Sequence, residues 1–231
     1  MAAIPLRRDV HYPESDGQPM AETPLYQQVM IDAIESLRHR YRGTPDAWVA
    51  GNFFLYYREG NPRMKVSPDV TVVRGVGNRW RRVFKLWEEK QTPCFVLEVT
   101  SQSSKSEDLT EKKPLYEGLG IEEYFLFDPE GDYLAPRLQG FRLVAGRYQP
   151  LEVSADGSLE SRATGVRLRP EGERLRLLDA ATGEPFLWWE ELEALARQET
   201  AARREAEARA DRLAEELARL RSELDGTRQG G

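Results

Sequence analysis

The segment Phe95-Val96-Leu97-Glu98-Val99 constrains this chain more than any other. As a strand it is apolar on both faces, so it needs a covering layer on each side of its sheet. A carboxylate nevertheless stands in its middle. A buried unpaired carboxylate is costly, so Glu98 is expected to be neutralised, paired or bound to a metal.

The 231 residues suffice for one domain of ordinary size and an appendage. A hydrophobic share of 40% and an aromatic share of 10% describe a chain that builds a core. No stretch approaches the ~18 apolar residues of a membrane span, and the first residues lack an apolar signal core. A cytoplasmic protein without membrane association is therefore expected. The lone Cys94 excludes an intrachain disulfide framework and a multi-cysteine zinc site. With only His11 and His39, zinc enzymes and Ser-His-Asp hydrolases are disfavoured too. The net charge of −6 argues weakly against a nucleic-acid binder. However, "RWRRVFKLWEEK" (79–90) is locally basic and carries Trp80, Phe84 and Trp87. It reads either as a nucleic-acid contact or as a solvated loop with aromatic anchors.

Residues 1–22 have proline, glycine and charge but little periodicity, and read as an irregular arm. Leu25, Val29, Ala33, Leu37 and Tyr41, widened by Met30 and Ile34, then form an amphipathic helical stripe. Thr23 and Pro24 suit its N-cap and first turn, and Gly43 and Pro45 end it. Strands are expected over 47–57, in "KVSPDVTVV" entered through Pro68, over 94–100 and over 123–129, with hairpins around Gly146 and within 166–178. A helix with Leu115, Tyr116 and Leu119 as its apolar face stops at Gly120. The fold class is thus α/β, a mixed central sheet flanked by helices, over a domain spanning 23–187. From Trp188 to the end, Ala, Glu, Arg and Leu dominate, the composition of a long exposed helix. Leu213, Leu217, Leu220 and Leu224 have coiled-coil spacing over the last two heptads, so weak self-association is weighed against a solvated single helix.

Asp69 opens one strand and Glu98 lies within another. Neighbouring strands can bring the two onto one face, where they repel unless one protonates or a cation lies between them. Mg²⁺ takes oxygen ligands, often one or two carboxylates plus water. Glu98 would then be a ligand, with the Val99 carbonyl a further one. Two partly exposed carboxylates near strand ends are the plainer alternative. Asp108, Lys112 and Tyr116 follow at steps of four, on one side of a helix. A lysine beside a metal-bound water can position the nucleophile and stabilise charge on a phosphate, while an exposed Asp108–Lys112 pair is the ordinary reading. Asp108 and Glu111 have capping-box spacing. Pro114 implies that the helix begins late or bends after Lys112.

The order "SPDVTVV", "FVLEVTSQSS" and "DLTEKKPLYEGLGIEEYFLFDP" resembles the Uma-type family of restriction-endonuclease-like bacterial proteins, within the PD-(D/E)XK nuclease superfamily. The likeness spans roughly 21–178. It implies a restriction-endonuclease-like fold and an endonuclease in which Asp69 and Glu98 hold Mg²⁺, with Mn²⁺ as a substitute. The motif lysine normally lies two residues after the acid, where this chain has Thr100, so the resemblance implies that Lys112 takes its place and ranks Lys113 second. Relatives carry a polar residue on the first helix; Gln27, Gln28 and Glu35 are candidates, and Tyr26 stands where a histidine is common.

The leading expectation is a Mg²⁺-dependent enzyme hydrolysing phosphodiester bonds in DNA, with Asp69, Glu98 and Lys112 catalytic and Asp108 and Tyr116 supporting. The alternative is a non-catalytic binding or assembly module of the same fold that uses its C-terminal helix for partners or as a homodimer. Its grounds are the acidic charge, Thr100 and Pro114. A phosphate-ester hydrolase ranks last, for want of a phosphate-cradling glycine loop.

Overall fold

The computed structural model describes residues 10–15, 17 and 23–229, with side chains through 219. In chain order it comprises α1 (Pro24–Arg40), β1 (Ala47–Ala50), β2 (Phe54–Tyr56), β3 (Lys65–Val66), β4 (Val70–Arg74), β5 (Val83–Lys85) and α2 (Leu86–Glu89). Then come β6 (Phe95–Val99), α3 (Lys105–Glu107), a π-helical turn (Asp108–Lys112), α4 (Lys113–Leu119) and β7 (Glu123–Phe127). They are followed by β8 (Leu138–Val144), β9 (Arg147–Pro150), β10 (Leu159–Ser161), β11 (Val166–Glu171), β12 (Arg174–Asp179) and α5 (Trp189–Gln229). Most of the expected arm, residues 1–9, 16 and 18–22, lies outside the described residues.

Six strands form the main sheet in the order β1-β4-β6-β7-β8-β9. It is mixed, because β6 and β7 run parallel while every other neighbouring pair is antiparallel. The parallel pair requires a crossover, and α3, the π turn and α4 supply it. Two three-stranded sheets, β10-β11-β12 and β3-β2-β5, complete the unit that ends at Phe186. Leu187 onward is a second unit, dominated by α5.

Strand alternation sorts the core into two layers. Val70, Val72, Phe95, Leu97, Phe125 and Phe127 pack with Val29, Ala33 and Leu37 of α1 and with Leu168 and Leu177 of the β10–β12 sheet. The opposite face sets Val73, Val96, Tyr124 and Leu126 against Tyr116, Ile121, Leu55 and Phe84. β6 is buried at every position, as its two-faced apolarity demands. Glu98 shares parity with Val96, so its carboxylate enters the layer under α4.

Some boundaries differ from the expectation. The stretch 47–57 is two strands in different sheets, interrupted at Gly51 and Asn52. Asn52 has a left-handed φ of 55°. A Cβ on Gly51 would lie 1.9 Å from the Asp69 carbonyl oxygen, so only glycine admits that approach. "KVSPDVTVV" likewise divides into β3 and β4, since Pro68 has no N–H to donate to a ladder. The basic 79–90 segment contains β5 and α2, not only loop. Thr23 holds the N-cap position of α1 without a side-chain capping bond. No helix among the described residues is long and apolar enough to cross a membrane.

Candidate active site

The antiparallel β4–β6 ladder pairs Val70 with Leu97, and one step further it sets Asp69 opposite Glu98. β4 has ended there, so the β6 backbone is met by a side chain instead. Val99 N–H donates to Asp69 Oδ2 at 2.8 Å, and Asp69 N–H approaches Glu98 Oε2 at 3.4 Å. The Glu98 carboxylate thus meets the Asp69 backbone, and the Asp69 carboxylate meets the backbone of Val99, next to Glu98. The Val99 carbonyl opens to the same side as its N–H, toward Asp69, as strand geometry requires.

The crossover supplies the cation. Lys112 Nζ lies 2.9 Å from Glu98 Oε2 and 3.0 Å from Asp108 Oδ1. The Asp108 contact is an ion pair without hydrogen-bond geometry, and Asp108 Oδ2 is buried with no hydrogen-bond partner among the described residues. Tyr116 donates to Glu98 Oε1 at 2.7 Å. Asp108, Lys112 and Tyr116 therefore do share a side and converge, and the Asp108–Lys112 pair is buried, not solvated. Asp108 caps nothing: it sits inside a continuous helical run, in its π turn. Lys113 N–H donates to the Asp108 carbonyl, an i→i+5 bond, and Tyr124 Oη donates to the same carbonyl at 3.1 Å. The widened turn absorbs the interruption that Pro114 threatens, leaving proline in the first turn of α4, where its missing N–H is tolerated. Lys113 points elsewhere, over the Phe141 ring at 3.6 Å.

Three carboxylates, Asp69, Glu98 and Asp108, surround one ammonium, leaving an excess of negative charge. Burial pushes Glu98 well above the usual carboxylate range; Lys112 opposes the shift, and Asp69 and Asp108 add to it. Burial disfavours the Lys112 ammonium, but Glu98, then Asp108 and Asp69, outweigh it and hold Lys112 charged well above its ordinary value. The Tyr116 hydroxyl is pushed well up by burial and then by Glu98, and remains a donor.

The site opens into a cleft of about 480 Å³ lined by Asp69, Val99, Lys112, Tyr26, Asn52 and Ser101, among others. On the first helix it is Tyr26, not one of the three candidates, that lines it, with its hydroxyl donating to Glu130 Oε2 at 3.1 Å. Gln28 instead holds Asp32 at 2.8 Å and Glu35 pairs with Arg38 at 2.7 Å, while Gln27 is exposed; none of the three lines the cleft. Asn52, Glu130 and Tyr133 line it without having been expected. Glu130 and Tyr133 come from a loop wound around Asp128, whose carboxylate accepts from the N–H groups of Glu130, Gly131, Tyr133 and Leu134. The turn chemistry of "DPEGD" was the available signal for that loop.

A family model named Uma2 and described as "Putative restriction endonuclease" matches residues 2–171. The chain belongs to the Uma2 family. One solved structure, a "putative nuclease belonging to DUF820" from Anabaena variabilis, superposes with a TM-score of 0.42 at 12% identity, over 63% of this chain and 76% of that one. No curated protein matches the chain. Among the described residues no group of three or more His, Cys, Asp or Glu side chains is arranged to hold a metal. Two carboxylates and a main-chain carbonyl are nonetheless oxygen donors of the kind Mg²⁺ takes, an ion that keeps several waters and needs few protein ligands. Glu98 retains acceptor capacity for it, because a carboxylate offers about four lone-pair sites.

Proposed function

We propose that this Uma2 protein is a Mg²⁺-dependent nuclease that hydrolyses phosphodiester bonds in DNA. Asp69, Glu98 and the Val99 carbonyl would hold the ion, which when bound polarises a phosphate oxygen and supplies an activated water. Lys112 acts as a charged ammonium: it donates to the attacking water and offsets charge gathering on the phosphate. Asp108 and Tyr116 fix Lys112 and Glu98 respectively, so the polar constellation is ordered before substrate arrives. The observation that carries this reading is Lys112 Nζ, delivered from the crossover helix to 2.9 Å from Glu98. It occupies the role that Thr100, too short and uncharged, leaves vacant on the strand.

The test is calorimetric Mn²⁺ binding by the wild type, Asp69→Ala and Glu98→Ala, followed by plasmid nicking in Mg²⁺ and in chelator. Binding and nicking that both substitutions abolish support the reading. Wild type that binds no metal sinks it and leaves the alternative of a non-catalytic module. That alternative draws on the burial of Lys112, whose ammonium is already engaged by two carboxylates. Self-association through α5 is part of either reading. Leu213 and Leu217 lie exposed on that helix, while the side chains of Leu220 and Leu224 lie outside the described residues.

A further inference from the structure

Asn52 lines the cleft and also a second, larger depression of about 1020 Å³ between α1 and the 78–82 loop. Among the described residues the two spaces share this one lining residue, whose N–H donates to the carbonyl of Pro68, next to Asp69. Arginines dominate the charged lining of the larger one: Arg38, Arg42, Arg79, Arg81 and Arg82 line it, against Glu35 as the one acidic lining residue among those described. At its rim stands Trp80, 92% exposed. An indole that open gains nothing from the core.

The loop that carries Trp80 is held firmly. Arg81 points inward, its side chain only 2% exposed. It donates to both Glu89 carboxylate oxygens at 2.8 and 3.0 Å, to the Gly77 carbonyl at 3.0 Å, and also to the Val76 and Arg79 carbonyls. Its guanidinium also lies over the Trp48 ring, 5.0 Å from the centroid. Residue alternation then turns Trp80 and Arg82 outward. Arg79 and Arg82 are tied by ion pairs at the surface, to Glu89 and Glu14, and Arg38 to Glu35. The Arg82–Glu14 and Arg38–Glu35 pairs are exposed on both sides; such pairs are weak and exchange readily for a phosphate.

A cationic groove with a fixed, exposed aromatic ring matches the chemistry of single-stranded nucleic acid: arginines follow the phosphates and a base lies on the ring. A duplex hides its base faces and would leave the indole idle. We infer that the groove between α1 and the 78–82 loop is a track for a single DNA strand, with Trp80 as a stacking platform that leads the strand past Asn52 to Asp69 and Lys112. The inference rests on the nuclease reading for the destination of the strand, but not for its binding.

The test separates the two. Full-length protein is titrated in chelator, where no metal-dependent cleavage occurs, with a fluorescein-labelled oligothymidine of about 16 nucleotides and with the matching duplex. Wild type is expected to prefer the single strand, with intrinsic tryptophan fluorescence quenched on binding. Trp80→Ala should bind about 5- to 150-fold more weakly, and Trp80→Phe, which keeps a π face, should recover most of the loss. Because Trp80 is 92% exposed among the described residues, its replacement leaves the melting temperature unchanged, which scanning calorimetry checks. Arg42→Ala should lower the salt slope of single-strand binding by about 0.7. Trp80→Ala binding with wild-type affinity, or a duplex bound as well as the single strand, overturns the inference even if the enzyme nicks plasmids. Single-strand binding that depends on Trp80 upholds it even if no cleavage is ever found.

Discussion

Glu98 has no solvent contact, so the groups around it decide what its replacement does. Removing Lys112 leaves two buried carboxylates, Glu98 and Asp108, without their cation. Lys112→Met is therefore expected to lose about 3–5 kcal/mol of stability, measured by urea unfolding. Glu98→Gln keeps the shape and an oxygen for the Tyr116 hydroxyl, but turns its amide nitrogen toward Lys112, which retains Asp108. It should cost less, about 1–3 kcal/mol, while abolishing Mn²⁺ binding. A Lys112→Met protein as stable as Glu98→Gln would show that the buried charges are not paired as described. Gly51→Ala drives a methyl into the Asp69 carbonyl. About 1–3 kcal/mol of overpacking cost is expected, with weakened Mn²⁺ affinity because Asp69 must move. At this scale the sequence revealed much. The convergence of Asp108, Lys112 and Tyr116 was legible because helical spacing is local, whereas the meeting of Asp69 with Glu98 depends on the β4–β6 pairing and was favoured only by the family resemblance. Gly51, Asn52 and Glu130 were not legible, since their positions depend on loops that the completed sheet folds back onto Asp69.

Among the elements, the crossover between β6 and β7 combines local and non-local influences. An apolar stripe and a glycine stop made α4 readable, as the 3.6-residue period made α1 readable. The π turn was foreshadowed only by the awkwardness of Pro114, because its geometry is settled by a contact from β7. Tyr124 Oη binds the Asp108 carbonyl that the turn also offers to Lys113 N–H, and its ring stands edge-on to Tyr116 at 5.1 Å. Tyr124→Phe keeps the ring and removes that bond. It should lower stability by about 1 kcal/mol, and it should reduce turnover in the nicking assay with little change in Mn²⁺ affinity, since Lys112 and not Asp69 rides on the turn. Equal losses in both readouts would place its effect on the sheet instead. The division of "KVSPDVTVV" escaped sequence reading for a related reason: Pro68 was read as the entry to one strand, and the partner sheet of each half is a tertiary choice.

For the whole molecule, α5 raises the question of what keeps 41 residues helical. Some support is internal. Glu193 precedes Arg197 in the favourable i,i+4 order, and Arg203–Glu207 adds a pair in the reverse order. Such pairs contribute about 0.2–0.5 kcal/mol each, too little to stabilise a solitary helix of this length throughout. Leu213 and Leu217 are exposed in the single chain, and their step of four continues toward Leu220 and Leu224 at coiled-coil spacing. A second copy would cover them, and Asp69 and Lys112 belong to the other unit, which ends at Phe186. Sedimentation velocity on the full chain should therefore show a monomer–dimer equilibrium that rises with concentration. The double substitution Leu213→Glu and Leu217→Glu should hold the chain monomeric and lower its far-ultraviolet helical signal. Metal binding and nicking per chain should stay as in the wild type. A wild type that remains monomeric across the accessible concentration range would make α5 a solvated single helix. Loss of nicking in the monomeric variant would instead mean that the nuclease works only as a pair.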